Sequence, residues 1–256
     1  MEIPKRLIEA LRTASHVTIL TGAGLSAESG LATFRAKSTG LWENFNPMDV
    51  ATLFAFEQDP ALVWGWYEWR RMKAMQALPN DGHLAITALQ RKLKHLSLVT
   101  QNVDDLHERA GSHFVRHLHG TLQHPRCASC SRPHAFSGTS IPDEPEAGRR
   151  LEPPQCINCG SRIRPGVVWF GESLPNREWE AAQRSTRQCN VFFCIGTSAL
   201  VEPAASLVHF ARDAGALTVQ INTGSTGLED RLSYDLRGPA GLILPEIVRS
   251  LPDGPH

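Results

Sequence analysis

Residues 20–35, LTGAGLSAESGLATFR, carry the reading on which the fold depends. They follow a short β-branched run, Val17-Thr18-Ile19, that ends in Thr21 and Gly22. Glycines at 22 and 24 let the backbone turn tightly and approach a ligand with no Cβ in the way. Ala27 takes the third small position of a G-x-G-x-x-G/A pattern, and a helix is predicted to start there. Such a start presents unpaired N–H groups and the positive end of the helix dipole, which suits a pyrophosphate. The usual dinucleotide unit continues through helix and strand to an acidic residue about 20 positions on. Here the helical pattern stops near Gly30, and Thr33, Phe34 and Arg35 lead into a polar segment, AKSTG. Glu43 lies at about the right distance, but no β-rich run precedes it. The glycine loop is therefore expected to open into a mobile cover rather than a second strand.

Outward from this loop, strands and helices alternate. Apolar residues at 3, 7, 8 and 11 give residues 3–14 a helical stripe. Further helices are predicted over 61–77, which holds three tryptophans, and over 83–94, 176–188 and 203–214. Strands are predicted over 17–20, 96–100, 114–118, 167–170, 191–195 and 217–222, with a last one at 242–244 before a terminal helix near 245–251. Residues 36–60 read as irregular. This alternation predicts an α/β fold: a mostly parallel sheet with helices on both faces. Twenty-six basic residues balance twenty-six acidic ones, so no overall charge points to nucleic acid or an anionic membrane. The N-terminal MEIPKRLIEALRTASH reads as an amphipathic helix rather than a signal peptide, and the longest apolar run is far short of a membrane span. A soluble, cytoplasmic protein is expected.

The composition changes between Gln123 and Pro165, which is rich in Cys, Pro, Ser, Gly and Arg. Cys127-x-x-Cys130 and Cys156-x-x-Cys159 are two tight hooks of the kind that tetrahedral thiolate zinc uses. The 25 residues between Cys130 and Cys156 exceed the usual ribbon gap. The excess is loop-like, and loop closure tolerates it cheaply. Four sulfurs leave no open position, so the zinc is expected to be structural. A redox pair is disfavoured, because two hooks occur together in a segment without a core of its own. Cys189 and Cys194 border or occupy an apolar strand and read as buried thiols.

Polar groups follow each apolar run: residues 22–26, 101–104, His119, 196–198 and Asn222. The carboxyl ends of parallel strands lie along one edge, so these segments are expected to converge there. GAGLSAESGLATFR, TQNVDDLHERAG, HLHG, the paired hooks, VVWFGE and GTSALVEPA, in this order, resemble the sirtuin family of NAD-dependent protein-lysine deacylases, from about residue 8 to residue 251. The resemblance implies a Rossmann-like NAD-binding domain over 1–35, 83–120 and 166–256. It implies a small domain made of a helical, cofactor-loop part over 36–82 and a zinc-ribbon module over 121–165. NAD and an acylated protein lysine would enter the cleft from opposite sides, with neither a specific nucleic acid nor a membrane as partner.

The resemblance also implies roles. Gly22, Ala23, Gly24, Ser26, Glu28, Thr33, Phe34, Arg35, Gln101, Asn102, Asp104, Gly196, Thr197, Ser198 and Asn222 would line the NAD site. Within that set Asp104 would bind the carboxamide, and Asn102 would order a water and the ribose, with Gln101 beside them. After the acyl oxygen attacks C1′, His119 would act as general base on a ribose hydroxyl, and the acyl group would pass to ADP-ribose. An imidazole suits that step because its pKa lies near working pH. The motif selects His119, directly before Gly120, and leaves His117 structural. Val168, Trp169, Phe170 and Gly171 would pair with the substrate backbone as an added strand.

Tyr67 and Arg70 are three apart on a predicted helix and share a face. A guanidinium holds a carboxylate bidentately, and a phenol adds a donor. This Tyr-x-x-Arg resembles the sirtuin subgroup that removes succinyl, malonyl or glutaryl groups, with Ala51 as the small residue that makes room. Two positions depart from the family pattern. Asn222 is followed by Thr223 and Gly224 where an acidic residue is common, and Glu202 stands where the subgroup commonly has tyrosine. A protein mono-ADP-ribosyltransferase and a non-catalytic zinc-ribbon binding protein are the other two readings.

Overall fold

The computed structural model describes residues 3–31, 49–136 and 150–252. Thr33, Phe34, Arg35 and Glu43 lie outside the described residues. Strands β1 (Val17–Thr21), β2 (Leu96–Thr100) and β3 (Arg116–His117) are followed by an antiparallel pair, β4 (Arg126–Cys127) and β5 (Ile163–Arg164). Strands β6 (Val191–Ile195), β7 (Leu217–Asn222) and β8 (Tyr234–Arg237) complete a six-stranded sheet in the order β3-β2-β1-β6-β7-β8. Every pairing in it is parallel.

Alternate side chains of the central strands enter two separate cores, as the two-residue strand period requires. Val17 and Ile19 of β1, with Val191, Phe193 and Ile195 of β6, pack against helices α1 (Lys5–Thr13), α5 (Asp81–Lys92) and α9 (Ala240–Ser250). Leu20, Phe192 and Cys194 face the other way, onto α7 (Asn176–Gln188) and α8 (Ser206–Asp213). Both faces are thus covered. A third core joins α3 (Leu53–Gln58) and α4 (Pro60–Gln76) to Leu122, Val167 and Trp169. The fourth holds Trp64 of α4 against Cys127, Cys156 and Ile163, so the cysteine module rests on the tryptophan-bearing helix. Asp59 fixes the start of α4, accepting from the Leu62 N–H at 3.0 Å and from Arg150 at 2.6 and 2.8 Å.

Several elements differ from the sequence reading. The helix expected to start at Ala27 ends there: α2 runs Ala23–Ala27. The strand expected over 114–118 pairs only at Arg116 and His117, because Phe114 has φ 55° and breaks the extended run. Residues 167–170 form no strand of the sheet; they make single bridges, Val167 to Gly120 and Phe170 to Thr52. The run at 242–244 is helical, within α9, and the last strand is β8. Residues 53–58, read as irregular, form α3, capped by Thr52 through its hydroxyl on the Ala55 N–H at 3.0 Å. Cys189 and Cys194 are buried, which pushes their thiols up to about 11 and about 12.

Candidate active site

The register brings the strand ends level: Thr21 faces Thr100 and Ile195, and Ile195 faces Ile221. The residues that follow these ends therefore meet along one edge. The chain order reverses between β1 and β6, and a crevice at such a switch point is where open parallel sheets bind ligands. Gly22 and Gly24 follow β1, and Gly196 follows β6 with φ 60°. The Gly24 N–H donates to the Gly196 carbonyl at 2.7 Å. A Cβ on Gly24 would lie 2.7 Å from the Gly196 oxygen and 2.8 Å from its Cα. Gly24→Ala is therefore expected to cost about 1–3 kcal/mol by overpacking, several degrees of Tm in a chain of this size. An unchanged melting curve would contradict the contact.

Side chains from four strand ends, those of β1, β2, β6 and β7, interlock above this turn. The Asn102 amide donates to the Gly22 carbonyl at 3.1 Å and to Ser26 Oγ at 2.9 Å, and Ser26 donates in turn to Asp104 Oδ2 at 2.9 Å. Gln101 donates to Thr197 Oγ1 at 2.9 Å, and Asn222 to the Thr197 carbonyl at 2.9 Å. Asp104 is 7% exposed, and burial pushes its carboxyl up against the opposing bonds from the Leu106 N–H and Ser26. The structure so gathers Gly22, Gly24, Ser26, Gln101, Asn102, Asp104, Gly196, Thr197 and Asn222; Ala23 and Ser198 are half-buried next to them in the chain. Glu28 follows at the C-cap of α2. Its oxygens accept from the Ala240 and Gly241 N–H groups at 2.7 and 3.0 Å, tying the glycine loop to the first turn of α9.

Two histidines reach consecutive carbonyls. His119 Nδ1–H donates to the Gln101 oxygen at 3.0 Å, which leaves the Nε2 lone pair available. Burial lowers the His119 pKa, and the bond to Gln101 offsets this in part. His117 donates from Nδ1 to the Asn102 oxygen at 3.0 Å and from Nε2 to Glu108 at 2.8 Å. Burial opposes its charge most, but the bond and field of Glu108, the bond to Asn102 and the field of Asp104 together outweigh it, and the pKa is raised. The two imidazoles are thus shifted in opposite directions, His117 up and His119 down.

A buried pair lies on α4. Tyr67 is 4% exposed, its oxygen accepts the Trp169 indole N–H at 3.1 Å, and burial pushes the phenol up to about 12. Arg70 lies over the Trp66 ring at 5.0 Å; burial lowers its pKa, opposed by the fields of Tyr67 and Asp104. The acidic site and the α4 pair are therefore electrostatic neighbours. Ala51 is buried, and its carbonyl accepts the Phe170 N–H at 3.0 Å.

The segment 168–171 is held from within. The Val168 N–H donates to the His119 carbonyl at 2.8 Å and the Trp169 N–H to Glu172 at 2.8 Å. With Phe170 on Ala51, three successive donors are engaged, so an added strand has carbonyls to pair with rather than these N–H groups. Gly171 is exposed with φ 85°. Arg164, which the sequence reading missed, grips Glu172 at 2.5 and 2.8 Å and lies 3.7 Å from the Trp169 ring centroid. Glu172 in VVWFGE was the available signal. His107 was also missed. Thr21 gives its hydroxyl hydrogen to Thr100 at 2.8 Å, so it accepts from His107 Nε2–H at 2.9 Å, and the Asn102 N–H donates to Thr100 Oγ1 at 3.0 Å. Glu202, the other departure, is exposed.

The four cysteine sulfurs lie within 4.8 Å of one another. Cys127 and Cys159 sulfurs are 3.5 Å apart, and those of Cys130 and Cys156 3.7 Å. Zinc–sulfur bonds of about 2.3 Å at tetrahedral angles separate sulfurs by about 3.8 Å, so the residues fit the metal. The Cys130 and Ser129 N–H groups donate to Cys127 Sγ, and the bond from Cys130 leads in lowering that thiol to about 6.

Known proteins agree with this arrangement. The family model described as "Sir2 family" matches residues 22–203. A protein of Methylococcus capsulatus named "NAD-dependent protein deacylase" is 51% identical over 98% of this chain and 98% of its own. A solved "Sir2 homolog-NAD complex" superposes with a TM-score of 0.86 at 43% identity, covering 97% of this chain and 93% of that one. A Sir2 homologue solved as a 2′-O-acetyl ADP ribose complex gives a TM-score of 0.87 at 43% identity over 96% of each chain. On motif order, sheet topology and this overlap, the chain belongs to the Sir2 family.

Proposed function

We propose that this chain is an NAD-dependent protein-lysine deacylase that transfers the acyl group to ADP-ribose, releases nicotinamide, and favours succinyl- and malonyl-lysine while keeping some deacetylase activity. The observation that carries the reading is the Asn102–Ser26–Asp104 chain at the sheet's switch point, with His119 on the neighbouring Gln101 carbonyl. An amide oxygen is a weak nucleophile, so the nicotinamide–ribose bond must loosen before attack. Asp104 holds the carboxamide, and Asn102 and Gln101 hold the ribose and a water. His119 Nε2 takes a proton from a ribose hydroxyl. Gly22, Ala23, Gly24, Gly196, Thr197, Ser198 and Asn222 receive the rest of the dinucleotide, helped by N–H groups at the start of α2. Thr33, Phe34 and Arg35 are assigned to the same site by the family pattern alone. The relatives solved with NAD and with 2′-O-acetyl ADP ribose support this course.

Tyr67 and Arg70 give the acyl preference. Tyr67 accepts from Trp169 and so keeps its own hydroxyl hydrogen for a ligand, beside a cation that burial leaves poorly solvated. A carboxylate-ended acyl group is the complement of that pair. The four cysteines hold a structural zinc, and the chain divides into the NAD domain (1–35, 83–120, 166–256), the helical part (36–82) and the ribbon (121–165). Among the described residues no helix is long and apolar enough to cross a membrane, in keeping with action in the cytoplasm. Arg70→Met is expected to lower kcat/KM for succinyl-lysine peptide by roughly 10–100-fold, the worth of a charge-assisted hydrogen bond. Acetyl-lysine turnover should change less than about threefold, since no charge is lost to it. Equal losses on both peptides would remove the specificity.

A further inference from the structure

A second cavity lies at the other end of β2, across a strand of about 16 Å from the site described above. Its volume is about 430 Å³, within the range of small-ligand clefts. Arg91 and Lys94 at the end of α5, His95, His113 and Arg116 line it, and no carboxylate does. In a chain whose charges balance overall, this is a local excess of cations. Arg116 shares its charge with Glu178 at 3.2 Å, whereas Arg91 and Lys94 have no ion pair among the described residues. Arg91 and Lys94 are exposed.

Phe114 forms the rim. It is 93% exposed and has φ 55°, a left-handed conformation in which a bulky side chain is a genuine outlier. Folding gains nothing from an aromatic ring in water, and the backbone pays a steric penalty to hold it there. The surroundings enforce the conformation. Gln90 donates to the His113 carbonyl at 3.0 Å and accepts the His113 N–H at 3.1 Å, and Thr87 and Ser112 hydroxyls meet at 2.9 Å. Strain that neighbours over-determine marks a functional position.

We infer that this cavity binds a nucleoside monophosphate, with Arg91 and Lys94 on the phosphate and the base stacked on Phe114. Cations beside an aromatic face are the features that recognise a phosphate joined to a π-system. The inference does not rest on the deacylase reading.

The test is calorimetric titration of AMP, and separately of inorganic phosphate, into protein whose main cleft is filled with ADP-ribose. One AMP per chain is expected. Phe114→Ala should weaken AMP about tenfold, the effect of losing one base stack, with phosphate binding unchanged. Arg91→Glu/Lys94→Glu should weaken both ligands by at least about tenfold. All these side chains are exposed, so the melting temperature serves as the folding control. No AMP binding, or AMP binding that neither variant changes, would overturn the site. Equal affinities for AMP and phosphate, indifferent to Phe114→Ala, would overturn the nucleotide. A cleft that takes no ADP-ribose counts against the deacylase reading alone, because the dependence on Phe114 is still measured.

Discussion

His119→Ala abolishes turnover, lowering kcat by about 10²–10⁴-fold as removal of a general base does, while NAD affinity stays within a few-fold of the parent. The split follows from the hydrogen bonds. Among the described residues the His119 side chain bonds only to the Gln101 carbonyl, whereas the interlock of Asn102, Ser26, Asp104, Gln101 and Thr197 is complete without it. The same geometry sets the pH profile. Only neutral imidazole can accept a proton, and burial lowers the His119 pKa from its usual 6.5. Activity should therefore climb with pH on an acid limb centred below 6.5 and be level above it. The His117 pKa is raised, with Glu108 the leading raising partner, so its titration is a distinct event. His117→Gln should keep turnover. An acid limb above the usual histidine value, or full activity in His119→Ala, would remove the base.

Cys127→Ser or Cys156→Ser should unfold the small module and lose the metal. Structural thiolate zinc contributes about 10–16 kcal/mol of apparent binding free energy, more than the whole stability of many domains. Within this module the apolar support is slight: Cys127, Cys156 and Ile163 with Trp64 of α4, and a two-stranded sheet of two residues each. Metal and folding should be lost together, read as zinc content and as a separate low-temperature transition. The effect should reach the site, because β5 ends at Arg164, whose grip on Glu172 fixes the segment bonded to His119. A metal-free variant with unchanged activity would contradict both links.

What the sequence disclosed follows from physical cause. Strands β1, β2, β6 and β7 are largely buried inside a parallel sheet, so they read as mainly apolar, β-branched runs and their ends were legible to within a residue. Strand β8, Tyr-Asp-Leu-Arg, lies at the sheet's edge and carries no such run. The run at 242–244 misled because Leu242, exposed on α9, extends the buried Ile243 and Leu244 into an apolar triplet that reads locally like a strand. At α2 the helix starts at Ala23 because Gly22 is extended and Gly24 packs on Gly196, a contact 172 residues distant in sequence that no local pattern reveals. The polar convergence was legible as a rule about strand ends. The partners were not: His107 on Thr21, Glu28 on α9 and Arg164 on Glu172 are long-range or loop pairings between residues that look ordinary in the chain.

The most direct measurement is mass spectrometry of the products from acetyl-, succinyl- and malonyl-lysine peptides, each incubated with the protein with and without NAD. The account predicts nicotinamide and acyl-ADP-ribose in equal amounts, only with NAD and only with an acylated peptide, and most with the acidic acyl groups. Free deacylated peptide without NAD, ADP-ribose left on protein in place of acyl-ADP-ribose, or no nicotinamide from any peptide would contradict it.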